Sequence, residues 1–185
     1  MAHAFLQGER LYLRPLAGSD AKGRYPEWLN DSAVCRGNSH HVYPYSESKA
    51  LDYISQVNSA DDALVLAVVL KQGDTHIGNV ALQAIHWLYR SAEFAILLGE
   101  KEAWGKGYGV EAGTLLLAHG FSAVNLNRIA CATFSNNPGM RKLALALGMR
   151  EEGIRRKAAF KSGEYLDVIE YGILRDEFRF PGPTA

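Results

Sequence analysis

Apolar positions along the chain change period several times, and each change marks a predicted element. Leu11 and Leu13 alternate with Tyr12 and Arg14, which reads as a strand from Glu9 that Pro15 ends. Ser19 has the chemistry of a helix cap, for a helix running through Trp28 and Leu29 that Pro26 bends or breaks. Asn30 to Tyr45 has no period. Ser46 caps a second helix, in which Ala50, Tyr53, Ile54 and Val57 share one face. Ala63 to Leu70 is almost continuously apolar between Asp61-Asp62 and Lys71-Gln72-Gly73-Asp74, as a central strand followed by a hairpin turn would be. Thr75 to Ile85 returns as a third strand. His86 to Arg90 turns into a fourth, Ala92 to Leu98, which Gly99 punctuates.

The second half continues the alternation of strand and helix. After Trp104-Gly105-Lys106-Gly107-Tyr108-Gly109, the run from Val110 to Val124 places Val110, Leu115, Leu117, Ala118 and Phe121 in a mostly apolar buried helix. Arg128 to Thr133 reads as a fifth strand, and Asn136-Asn137-Pro138 opens a helix with capping amides and a first-turn proline. Gly148 stands where that helix stops. Arg150 to Phe160 and Tyr165 to Leu174 form a last hairpin around Lys161-Ser162-Gly163. The expected organisation is one domain over residues 1–180, with 181–185 as a disordered tail. Its class is α/β (α+β), a mixed, mostly antiparallel twisted sheet of about seven strands flanked by about four helices.

Composition narrows the partners. The 185 residues are 48% apolar, enough for one core, and Lys/Arg and Asp/Glu number 20 each. That balance gives no broad electrostatic footprint for nucleic acid or an anionic membrane, so an anion site must be local. Cys35 and Cys131 lie far apart without paired spacing, which suggests reduced thiols. The start Met1-Ala2-His3-Ala4-Phe5 lacks a signal peptide's basic and apolar regions, and no run reaches membrane-spanning length. A cytoplasmic protein is expected. Nothing has metal-ligand spacing, so no metal is expected.

Strand, glycine-rich loop and helix together make an anion site, because glycines let amides approach oxygen and a helix start leaves N–H groups unpaired. A dinucleotide fingerprint from Gly105 would need glycine at Val110, and a P-loop would need Ser or Thr at Gly107. What remains is Gly107 and Gly109 with Trp104 three residues before the first. Here the chain resembles the GCN5-related N-acetyltransferase (GNAT) superfamily, whose loop, (Arg/Gln)-x-x-Gly-x-(Gly/Ala), cradles the pyrophosphate of acetyl-CoA. Trp104 stands in the Arg/Gln place, similar to the branch of ribosomal-protein-alanine (RimJ/RimL-like) N-acetyltransferases, where Trp-Gly-Lys-Gly-Tyr is familiar. The element order and the segments Ile77-Gly78-Asn79-Val80, Ala92-Glu93-Phe94, Leu126-Asn127-Arg128-Ile129 and Tyr165-Leu166-Asp167-Val168 extend the resemblance over nearly the whole chain.

The resemblance implies an acetyl-CoA-dependent N-acetyltransferase working by direct attack of a primary amine. Its acceptor would be a protein N-terminus, an amino sugar or another small amine, and the rival is a non-catalytic acyl-CoA-binding module. An alkyl ammonium with a pKa near 10 leaves roughly one molecule in a thousand reactive at pH 7 without a base. Glu93 is the candidate base; its alternative is an ion pair with Arg90 at a strand end. A backbone amide near Leu97 or Leu98 would polarise the thioester carbonyl. Amides of Gly105, Lys106, Gly107, Tyr108, Gly109 and Val110 would hold pyrophosphate beside Trp104. Asn137 keeps the family's CoA-contacting place or is only a helix cap. Met140 and Ala144 replace the Ser and Tyr that protonate the leaving thiolate in relatives. A thiol of pKa near 8.5 makes that step only about 2 kcal/mol uphill at neutral pH, so an acid is dispensable. Trp28, His40, His41, Tyr43 and Tyr45 are candidates for an acceptor wall, as is Trp87, which with Tyr89 is equally a homodimer contact. His76 is expected to be exposed and His119 to be a half-buried structural residue.

Overall fold

The computed structural model describes residues 4–180; the expected tail lies outside them. One eight-stranded sheet has the order β1-β2-β3-β4-β5-β6-β8-β7. The strands are β1 (Leu6–Gln7), β2 (Leu11–Pro15), β3 (Leu64–Leu70), β4 (Thr75–His86), β5 (Ser91–Leu98), β6 (Arg128–Phe134), β7 (Arg150–Lys161) and β8 (Glu164–Leu174). Helices are α1 (Gly18–Ala21), α2 (Tyr25–Asn30), α3 (Glu47–Asn58), α4 (Tyr108–Ser122) and α5 (Pro138–Ala146). Every neighbouring pair is antiparallel except β5 and β6, which α4 joins in a βαβ unit.

The seven expected strands are present, and β1 is an eighth that two residues are too short to announce by period. The first helix is two. α1 is capped at Ala17 with Ser19 inside it, and Pro26 lies in the first turn of α2, so proline starts a helix rather than bending one. Ser46 and Asn137 cap α3 and α5 through the amides of Lys49 and Met140. α4 begins at Tyr108, two residues before the apolar run, because Gly107 supplies its N-cap with φ +82°.

Each sheet face carries its own core. Phe94, Leu116, Phe121, Ile129, Leu147 and Tyr171 lie between the sheet and α4 and α5. Tyr12, Trp28, Leu29, Ile54 and Ala67 lie between the sheet and α1, α2 and α3. The second core encloses polar groups. Arg14 reaches Asp20 with two hydrogen bonds of 2.7 Å, and His76 lies 3.3 Å from the same carboxylate and 2.8 Å from the Asn79 Oδ1. His76 is therefore largely buried rather than exposed, because Asp20 and Asn79 supply its partners. His119 is half-buried against Phe5, as expected, with ring centroids 5.0 Å apart.

Burial alone would push the Asp20 carboxyl up, but hydrogen bonds from Arg14, His76 and the Ala17 amide together hold it well below the usual carboxylate range. Asp20→Asn leaves Arg14 buried without a counter-charge. Urea denaturation is expected to show a loss of about 3–5 kcal/mol. Because the folded pKa is depressed, the wild-type contribution is complete above about pH 4 and fades as pH falls through the folded value; the variant lacks that acid limb.

Candidate functional site

β5 and β6 are paired only at Ser91 with Arg128, Ala92 with Ile129 and Glu93 with Ala130. Beyond Glu93 they separate, β5 staying on β4 and β6 on β8. The Gly99 N–H donates to the Ile77 carbonyl at 2.9 Å, and the β4–β5 register runs without a shift from Gly78/Leu98 to Gln83/Glu93. By alternation, the peptide groups of Ala95 and Leu97 face β4, those of Ala92 and the Phe94 N–H are spent on β6, and those of Ile96 and Leu98 face the opening. Of the two residues expected to polarise a carbonyl, Leu98 thus presents its amide to the gap. Leu97 turns its own into the sheet, which corrects that half of the expectation.

The glycine-rich loop sits at the end of this free edge. Trp104 donates from its indole Nε1 to the Leu98 carbonyl at 2.8 Å, pinning the loop to β5. Gly105 and Gly107 have φ of +72° and +82°, a left-handed pair of bends that an L side chain strains. Among the described residues, none of the N–H groups from Gly105 to Val110 donates to a protein acceptor; the Glu111 N–H is the first engaged, on the Gly107 carbonyl. Six consecutive amides at the start of a fifteen-residue helix form an anion cradle that remains open.

Sequence reasoning missed the brace behind this loop. Arg10, in the β1–β2 turn, donates from Nη1 to the Lys106 carbonyl at 2.8 Å and from Nε to Glu111 at 2.9 Å. Its guanidinium lies 4.7 Å from the Tyr108 ring centroid. Glu111 Oε1 also accepts the amides of Arg10 and Leu11. These partners stand about a hundred positions apart, and the only local sign was an acid in the first turn of a helix.

The irregular segment after α2 crosses the mouth of the opening. Asp31 pairs with Lys101 at 2.6 Å beyond β5, the Gly37 carbonyl accepts from Asn137 Nδ2 at 2.9 Å beyond β6, and the His40 carbonyl accepts from Lys161 Nζ on β7. Asn137 is thus both the α5 cap and a tie to this segment. One Nδ2 hydrogen is left for a ligand. His40, His41 and Tyr43 are exposed on the segment, Tyr43 at 78%. Tyr45 is half-buried against Tyr25, 6.0 Å between centroids, and burial pushes both phenols up.

Two expected wall residues lie elsewhere. Trp28 is 2% exposed, with its indole against Gly99 and its Nε1 donating to Glu100 at 2.9 Å; a Cβ at Gly99 would overlap the ring at 1.9 Å. It is core. Trp87 sits at the β4–β5 turn, at the opposite end of β5 from the loop, 58% exposed. Glu93 occupies the apex where pairing stops. Among the described residues its carboxylate has no ion pair, and Arg90 instead binds Asn125. Cys131 lies close enough to Glu93 that burial first and this charge second push its thiol up to about 12. Both cysteines are free and buried. Met140 packs on the core and Ala144 is fully buried, so neither offers an acid.

An open peptide edge, an anion cradle at its end and a free carboxylate at its apex suit an extended ligand with a phosphate and a carbonyl. Among the described residues no cluster has the composition of a metal site, and no helix is long and apolar enough to cross a membrane.

Comparison with known proteins places these features. The family model described as "Acetyltransferase (GNAT) domain" matches residues 10–150. An uncharacterized N-acetyltransferase, p20 of Bacillus licheniformis, is 29% identical over 177 residues, 94% of this chain and 97% of its own. The spermidine N(1)-acetyltransferase of Vibrio cholerae is 30% identical over 135 residues, 73% of this chain and 78% of its own. A crystal structure of spermidine N-acetyltransferase from Vibrio cholerae, in complex with CoA and spermine, superposes with TM-score 0.83 at 26% identity, covering 92% of this chain and 98% of that one.

If Arg10 shapes the cradle, Arg10→Ala should weaken CoA binding about tenfold, or ~1.4 kcal/mol, in titration calorimetry. An unchanged affinity would mean the loop keeps its form unaided.

Proposed function

The chain belongs to the GNAT acetyltransferase family, and on that premise we propose that this acetyl-CoA-dependent N-acetyltransferase acts on a primary amine by direct attack in the opening between β5 and β6. The observation that carries the proposal is the meeting of three unused groups: the N–H groups of Ile96 and Leu98 on β5, the amides of residues 105–110, and the Glu93 carboxylate. Acetyl-CoA supplies the thioester. The amides from Gly105 to Val110 hold pyrophosphate, with Arg10 and Trp104 keeping their geometry. The Leu98 N–H donates to the thioester oxygen, where negative charge grows as the amine adds.

Glu93 takes the proton from the incoming ammonium through a chain of waters. It stands on the same strand five residues before Leu98, about 16 Å along an extended chain, so the proton is relayed rather than passed directly. The amine nitrogen then bonds to the carbonyl carbon, the C–S bond breaks, the nitrogen gives up its extra proton to solvent water, and CoA leaves as a thiolate that takes a proton from the same solvent. No residue is acylated on the way. With Met140 and Ala144 in the core, a side-chain acid is not required by this scheme.

The acceptor is a small amine or a peptide N-terminus. The sequence Trp104-Gly105-Lys106-Gly107-Tyr108 supports a place near the RimJ/RimL-like branch, which keeps peptides among the acceptors to test.

A thiol-release assay with a panel of amines tests the activity. Glu93→Gln is expected to lower kcat/KM about a hundredfold at pH 7, with the deficit shrinking as pH approaches the amine's own pKa. A variant equal to wild type across pH would remove Glu93 from the reaction.

A further inference from the structure

The far wall of the opening contains an open groove of ≈ 480 Å³, a volume suited to one small molecule. Its floor is β6 beyond the last residue paired with β5, with Ala132 and Phe134 exposed to it; Ser39 and Val42 of the crossing segment approach from above. From β7 come Arg155 and Lys161. The groove therefore lies alongside the place where an acceptor would reach the thioester.

Its charge is one-sided. Neither Asp nor Glu lines it. Arg155 shares Glu170 at 2.9 Å, whereas Lys161 has no carboxylate partner among the described residues and donates to the His40 carbonyl. The 20:20 balance of the whole chain hides this local excess. A second ammonium entering the groove would meet the uncompensated Lys161 charge and an Arg155 whose carboxylate partner, Glu170, is already taken. An anionic group would find a planar guanidinium and a compact ammonium at the same place. Between them, Val42 and Phe134 offer apolar contact.

Resting on the acetyltransferase reading above, we infer that the acceptor is a monoamine joined through a short apolar body to an anionic group, and that Lys161 and Arg155 read the anion. The groove selects against polyamines by the same charges. Transfer itself follows the scheme already given, with the amine nitrogen gaining the acetyl group and the thiolate leaving. The anion only orients the acceptor.

The test uses the full chain and four amines: phenylalanine, with a carboxylate; phenethylamine, lacking it; O-phosphoethanolamine, with a phosphate; and spermidine. Turnover is read by CoA release. Binding is read separately by calorimetry in the presence of desulfo-CoA, which lacks the reactive sulfur. At least one anionic monoamine should exceed both phenethylamine and spermidine by tenfold or more in kcat/KM and in affinity. The better of the two anionic compounds identifies carboxylate or phosphate. Lys161→Gln should erase that preference, and Lys161→Glu should reverse it toward spermidine, a reversal that a merely structural lysine would not produce.

Spermidine or phenethylamine matching the anionic amines, or a selectivity indifferent to both Lys161 variants, overturns the inference while leaving the acetyltransferase intact. Selective binding of the anionic amine with no CoA released from any acceptor would instead overturn the catalytic reading and leave the groove's selectivity standing.

Discussion

Three residue pairs hold β5 to β6, and the site depends on there being no fourth. A strand in the middle of a sheet normally has both edges consumed, and an unpaired peptide edge inside a fold is costly unless something else bonds to it. Here β8 retains β6 along its whole length while β4 retains β5. The start of α4 is packed against the departing end of β5. Gly109 has room for a Cβ only at ordinary contact distance from Leu98, Leu143 and Ile96, 3.5 to 3.8 Å away. One helix start thus lies at the mouth of the gap and aims free amides along it. The cradle thus sits where the two strands have parted.

The charges follow a similar economy. With no net charge to steer an anion, the molecule relies on placement. Arg10 and Glu111 fasten the β1–β2 turn to the loop, Arg14 and Asp20 fasten β2 to α1, and Asp31 and Lys101 fasten the crossing segment to the end of β5. Arg10 and Asp31 act on elements that border the opening, and the segment carrying Asp31 also ties to Asn137 across it. Glu93 stands apart from these pairs, which leaves its carboxylate available for chemistry rather than structure.

Much of the architecture was legible because strand and helix differ in period. Ala63 to Leu70, Ala92 to Leu98 and the apolar stretch after Gly109 announced β3, β5 and α4, and Gly107 with Gly109 announced the cradle. What escaped had no local signal. Arg10 meets Glu111, Asn137 meets Gly37, and Lys161 meets His40 only after the sheet has assembled. The alternation that put His76 at a strand start cannot show that Asp20, fifty-six positions earlier, waits beside it. Trp28 was expected in an acceptor wall, next to the irregular segment that begins at Asn30. Gly99, having no side chain, instead lets the indole sink into the core. The choice between Leu97 and Leu98 required strand register, which a single strand's sequence does not contain.

The central claim is that the peptide groups facing the gap, not their neighbours, receive acetyl-CoA. Amide-resolved NMR during titration with CoA tests it most directly. The N–H signals of Ile96, Leu98 and Gly105 through Val110 should shift and gain protection from exchange, while Ala95 and Leu97, already bonded to β4, should change little. Saturating CoA that leaves the first set unmoved, or that perturbs both sets alike, would contradict the account.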